Sequence, residues 1–109
     1  MSHLSTHVLD TAAGRPAAGI VVRLEAFDGD GWHPVASATT DTDGRVTDLL
    51  DDAPLRRGEY RLTFEVGAYL GPEAFYPEAV VVFRVGDPED RYHIPLLLSP
   101  YGYTTYRGS

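Results

Sequence analysis

Two-residue periodicity dominates the chain. Ile20, Val22 and Leu24 alternate with Val21, Arg23 and Glu25, and Tyr60, Leu62, Phe64 and Val66 alternate with Arg61, Thr63 and Glu65. Successive side chains of a strand point to opposite faces, so both runs predict strands with one buried side. Residues 4–9 repeat the pattern, with Leu4, Thr6 and Val8 opposing Ser5, His7 and Leu9. Ala79 to Val85 is rich in β-branched residues, and Tyr92, Ile94, Leu96 and Leu98 form a further alternating set.

Turn signals separate these runs: Gly14-Arg15-Pro16, Gly29-Asp30-Gly31, Asp41-Thr42-Asp43-Gly44, Arg57-Gly58, Gly86-Asp87-Pro88 and Ser99-Pro100-Tyr101-Gly102. Glycine, proline and Asx residues supply the backbone conformations that turns require. The spacing predicts an all-β chain, an antiparallel sandwich of seven or eight short strands. One short helix is expected near Gly67 to Leu70, before Gly71-Pro72. No repeat, linker or low-complexity segment interrupts the pattern, so residues 1–109 read as a single domain.

The outward faces are unusual for a sandwich that stands alone. Arg91, His93, Pro95 and Leu97 lie opposite Ile94 and Leu96, and Ser5, His7 and Leu9 lie opposite the buried set of the first strand. A solvated face should be consistently polar. Apolar residues mixed with single histidines, followed by Tyr101, Tyr103 and Tyr106, predict burial against another subunit.

Composition narrows the function. The 109 residues carry 16 acidic and 9 basic side chains, a formal net charge of −7, and every basic residue is Arg. Without a basic run the chain is a poor partner for nucleic acid or an anionic membrane, because phosphate neutralisation supplies most of that affinity. Cysteine is absent, which removes disulfides, thiolate nucleophiles and Cys-ligated zinc. No apolar run approaches a membrane span, and the first residues lack the charged and apolar stretches of a signal peptide. A cytoplasmic location is the expectation.

Candidate chemistry rests on four histidines: His3, His7, His33 and His93. No HxH or HExxH pattern is present, so no metal is expected. Asp41-Thr42-Asp43-Gly44 resembles the start of a calcium loop, but the downstream ligands are missing and a tight turn is the better reading. A lone histidine is more often structural than catalytic, and His3 near the terminus and His33 beside a turn are read that way. His7 and His93 differ because they fall on covered faces, where an imidazole can act as a general base near neutral pH. Arg45 follows Gly44 at a strand start, and Tyr106-Arg107-Gly108-Ser109 closes the sequence. Spacing alone leaves an enzyme and a binding module both open.

Three segments are similar to the signature stretches of the 5-hydroxyisourate hydrolases, the enzymic branch of the transthyretin family. They are Leu4-Ser5-Thr6-His7-Val8-Leu9-Asp10 followed by Gly14-Arg15-Pro16-Ala17, then Thr42-Asp43-Gly44-Arg45-Val46, then Tyr92-His93-Ile94-Pro95-Leu96-Leu97-Leu98-Ser99-Pro100-Tyr101-Gly102-Tyr103 with Tyr106-Arg107-Gly108-Ser109. The closing tetrapeptide is the most specific of these. The stretch Gly67 to Pro77 is shorter than is usual in that family, and Thr104 replaces a common Ser.

The resemblance implies a transthyretin-like (prealbumin-like) sandwich, assembled as a homotetramer with active sites at subunit interfaces. It implies hydrolysis of 5-hydroxyisourate to 2-oxo-4-hydroxy-4-carboxy-5-ureidoimidazoline, without a cofactor. His7, Arg45, His93 and Ser109 are the expected catalytic set. His7, Arg45, Tyr106 and Arg107 are expected to bind substrate, with Tyr106 as a flat wall for the ring. The alternative is a non-catalytic protein of the same fold that binds a small ligand.

Overall fold

A computed structural model describes residues 3–51 and 53–109. The first strand, β1 (His3–Asp10), realises the predicted alternation: Leu4, Thr6 and Val8 are buried, while Ser5, His7 and Leu9 are half-exposed. Two two-residue strands, β2 (Arg15–Pro16) and β5 (Arg45–Val46), pair with its free edge. Between them in sequence come β3 (Val21–Phe27) and β4 (Trp32–Thr39). There follow β6 (Gly58–Phe64), α1 (Val66–Leu70), β7 (Ala79–Val85), β8 (Arg91–Ser99) and β9 (Gly102–Thr105). The helix starts one residue before the expected position.

Two sheets result. One runs β2-β1-β8-β9 with β5 also on β1, and the other runs β4-β3-β6-β7. Antiparallel pairing holds everywhere except between β1 and β8, which run parallel through eight residue pairs from His3↔Arg91 to Asp10↔Leu98. A parallel pair needs a long crossover, and here the whole second sheet lies between the two strands in sequence.

The inner faces meet in one apolar cluster that includes Leu4, Val8, Val22, Leu24, Leu62, Phe64, Leu96 and Leu98, all at or near zero exposure. Fully burying one such side chain stabilises by roughly 1.5–3 kcal/mol. Thr6 is also buried in this layer, and its hydroxyl donates to the Ile94 carbonyl at 2.6 Å, locking β1 to β8. At the end of β1 the Asp10 carboxylate accepts from the Ala13 amide at 2.9 Å and from the Tyr69 hydroxyl at 2.8 Å, tying α1 to the sheet. Burial alone would raise the pKa of Asp10, but these hydrogen bonds outweigh it and hold the carboxyl below its ordinary value.

The short connection after α1 is tight. The Gly67 amide donates to the Pro77 carbonyl at 2.7 Å, and a Cβ on Gly67 would stand 2.8 Å from that oxygen. Between these two residues the Phe75 amide donates to the Pro100 carbonyl at 3.0 Å, in the turn between β8 and β9. No helix among the described residues is long and apolar enough to cross a membrane.

Candidate active site

Arg45 owes its position to the turn before it. The Asp41 carboxylate accepts from the amides of Asp43 at 2.9 Å and Arg45 at 3.0 Å, so this acidic cluster serves backbone donors. Gly44 has φ +74°, and a Cβ there would lie 2.4 Å from the Val8 carbonyl oxygen. Only glycine fits such a close approach at positive φ. The Gly44 carbonyl accepts from the Val8 amide at 2.7 Å, which fastens the turn to β1 and sets Arg45 opposite His7 in the β1–β5 register.

The same turn holds His7. Its Nε2 lies 2.9 Å from the Asp43 carbonyl oxygen. A carbonyl only accepts, so Nε2 carries a proton in this contact and the neutral ring keeps its lone pair on Nδ1.

His93 reaches the same face from β8. It pairs with Ser5, while His7 pairs with Pro95, so the two imidazoles occupy adjacent steps of neighbouring strands. The Ser5 hydroxyl and His93 Nδ1 are 2.8 Å apart. Burial lowers the pKa of His93 below 6.5, and repulsion by the Arg45 guanidinium, and by His7 and His3 when protonated, lowers it further; a backbone hydrogen bond to Ser5 opposes them. The net direction leaves His93 neutral, and able to take up a proton, near pH 7.

The tail runs along β8. β9 pairs with β8 up to Leu96↔Thr105, and the same register resumes at His93↔Gly108, where the Gly108 amide donates to the His93 carbonyl at 2.7 Å. Pro95 has no amide to offer the ladder between these points. Its carbonyl instead accepts from the Thr105 hydroxyl at 2.8 Å. Gly108 then lies against the imidazole: a Cβ there would stand 2.6 Å from His93 Cδ2.

An open cleft of about 690 Å³ forms where these elements meet. Ligand sites commonly span about 300–1,000 Å³. His93, Arg45, Arg107 and Ser109 line it, together with His3, Ser5, Thr47, Asp90 and Arg91. Three guanidiniums against one carboxylate from Asp90 give the cleft a cationic wall on an acidic protein, which suits an anionic ligand. No three His, Asp or Glu side chains among the described residues gather as metal ligands would.

The expected site residues divide into two groups. His93, Arg45, Arg107 and Ser109 share the cleft, and His7 stands on the same sheet face just outside its lining. Tyr106 does not wall this cleft. It is 55% exposed and borders a second cavity of about 210 Å³ with Val81, Phe83 and Ile94. Arg107 is already engaged: its guanidinium reaches Asp90 and the Arg91 carbonyl at 3.3 Å each and lies 4.7 Å over the Tyr92 ring. It therefore fastens the tail. His3, read from sequence as structural, lines the cleft, because it shares the period-two face of Ser5 and His7. That alternation was the available signal. His33 pairs with Asp28, away from the site.

Comparison with known proteins gives a consistent result. The sequence model of the HIUase/Transthyretin family matches residues 4–108. The chain is 46% identical over 114 residues to a 5-hydroxyisourate hydrolase of Mesorhizobium japonicum, covering 97% of this chain and 91% of that protein. The solved structure of Klebsiella pneumoniae 5-hydroxyisourate hydrolase superimposes with a TM-score of 0.87 at 40% identity, covering all of both chains. Sea bream transthyretin in complex with thyroxine superimposes equally well, with a TM-score of 0.89 at 32% identity over 96% of this chain and 93% of that one. The fold is thus common to a 5-hydroxyisourate hydrolase and a thyroxine-bound transthyretin, and residues must separate them.

Proposed function

Since the chain belongs to the HIUase/Transthyretin family, we propose that it hydrolyses 5-hydroxyisourate, with His7, Arg45, His93 and Ser109 as its catalytic machinery. The observation that carries this reading is the register of one sheet. It stacks an imidazole from β1, a guanidinium from β5 and a second imidazole from β8 on a single face beside the cleft. A hormone carrier has no use for a neutral base beside a fixed cation. Hydrolysis needs both.

The reaction follows from these groups. His93, neutral near pH 7, takes a proton from water as the water oxygen bonds to the ring carbonyl carbon. Arg45 donates to the carbonyl oxygen as it gains negative charge. The tetrahedral adduct collapses, the ring C–N bond breaks, and the proton passes from the imidazolium to the departing nitrogen. The product is the opened 2-oxo-4-hydroxy-4-carboxy-5-ureidoimidazoline. His7, with Nε2 committed to the Asp43 carbonyl, orients substrate or water through its other ring nitrogen. Ser109 supplies a hydroxyl at the cleft wall, and Arg107 seats the tail that carries it.

The same reading places the chain in a homotetramer whose sites are completed by neighbouring subunits. The half-exposed Ser5, His7, Leu9 and Leu97 support this, as do Val80 and Val82, which are exposed on the edge strand β7. It also takes residues 1–109 as one domain and the cytoplasm as its compartment, since a cysteine-free chain gains nothing from an oxidising one.

The direct test follows the absorbance of freshly generated 5-hydroxyisourate with and without the protein. Acceleration that His93→Ala abolishes is the expected result. Decay no faster than in buffer, with folded protein present, would leave the ligand-binding alternative standing.

A further inference from the structure

We propose that Ser5 is a positioning residue: its hydroxyl holds Nδ1 of His93 and so presents Nε2, unprotonated, to the reacting water. The inference rests on His93 serving as the base and adds which nitrogen acts and what selects it.

Three observations converge on Ser5. Its Oγ lies 2.8 Å from Nδ1, a hydrogen-bond distance. Its position relative to His93 is set by an eight-pair parallel ladder, with Ser5↔His93 as the third pair, and the buried Thr6–Ile94 bond lies one pair further on. The other edge of the ring packs beside Gly108, where even a Cβ would stand 2.6 Å from Cδ2. Turning the ring over would put carbon against the Ser5 hydroxyl and lose the bond. The imidazole therefore has one favoured orientation, with Nδ1 held by Ser5 and the ring lining the cleft.

The tautomer follows from the chemistry. A neutral imidazole has one donor and one acceptor nitrogen. A base at Nε2 needs its lone pair there, so the proton resides on Nδ1 and is donated to the Ser5 oxygen. This is the arrangement by which a second partner fixes which imidazole nitrogen does the work. His7 is the counterpart, held with its proton on Nε2 by the Asp43 carbonyl. The two rings of the site are thus set in opposite tautomers.

The experiment compares Ser5→Ala and Ser5→Thr with the unaltered protein, reading kcat and KM across the neutral pH range and the 15N signals of the His93 ring. Ser5→Ala should lower kcat about 10- to 100-fold, as when the second hydrogen bond of a metal-bound imidazole is removed. KM should change little, and the ring should become a tautomer mixture. Ser5→Thr, which keeps the hydroxyl, should recover most of kcat and the single tautomer. Unaltered kcat in Ser5→Ala, or a Thr variant as slow as the Ala variant, overturns the proposal. If Ser5→Ala does not fold, the unaltered protein decides: a neutral His93 protonated on Nε2 overturns it. His93→Ala measured alongside separates the two ideas. Full activity there defeats the assignment of the base itself, whereas an inactive His93→Ala beside a fully active Ser5→Ala defeats only the role of Ser5.

Discussion

His7 and Arg45 stand directly opposite each other where β5 meets β1. Directly opposed residues hold their Cβ atoms about 4.5–5.5 Å apart, so both side chains can reach one small ligand. Arg45 is exposed, so its removal should leave folding intact. Arg45→Ala should reduce kcat/KM about 100- to 1,000-fold, the usual loss for one oxyanion donor. Arg45→Lys should recover little of it, because a single ammonium lacks the planar fork. Steady-state kinetics with a parallel thermal melt would check both statements.

Gly108→Ala should strike the base without touching the core. The added methyl would stand 2.6 Å from His93 Cδ2, and the ring must tilt away from its place against Ser5. Turnover should drop at least tenfold while the unfolding midpoint stays within a few degrees. Near-normal turnover would mean that the tail does not press on the ring.

Acidity should act on both rate and stability through His93. Its folded pKa lies below 6.5, so the acid limb of kcat/KM should fall below the value for a free imidazole. For stability, a depressed histidine pKa favours the unfolded chain once protons bind. The contribution is complete above 6.5 and drains away as pH falls toward the folded value. Denaturant titrations at descending pH should show His93→Ala losing less stability than the unaltered protein over that interval.

Gly44→Ala should injure fold and site together. The residue combines φ +74° with a backbone oxygen 2.4 Å from the would-be Cβ, and that oxygen belongs to the strand and cannot swing aside. A loss of more than about 1 kcal/mol is expected from urea unfolding. Activity should fall further than stability alone explains, because Arg45 follows directly in the chain.

Much of this was legible in the sequence, for local reasons. The alternation in residues 4–10 and 91–99 announces which side chains face out, and the Asp41–Gly44 turn announces itself by its Asx and glycine residues. The parallel alignment of β1 with β8 was not legible, because no local signal fixes the register of strands 88 residues apart. The pairing of Ser5 with His93 is invisible in the sequence for that reason. β4 gave little warning either: it lies at a sheet edge, largely exposed, with a register shift beside Leu24 and Glu25 that blurs its period. The position of Tyr106, beside the smaller cavity, follows from the missing amide of Pro95, where the tail parts from the ladder.

The bond from His7 runs to the main-chain oxygen of residue 43, not to the carboxylate. Side-chain identity at this position is therefore open to drift, while loop length is not. Exchanging Asp43 for another small polar residue should pass unnoticed. Inserting a single residue into the same loop would uncouple guanidinium from imidazole in one stroke, so across diverging sequences position 43 should vary in letter while the turn keeps its count.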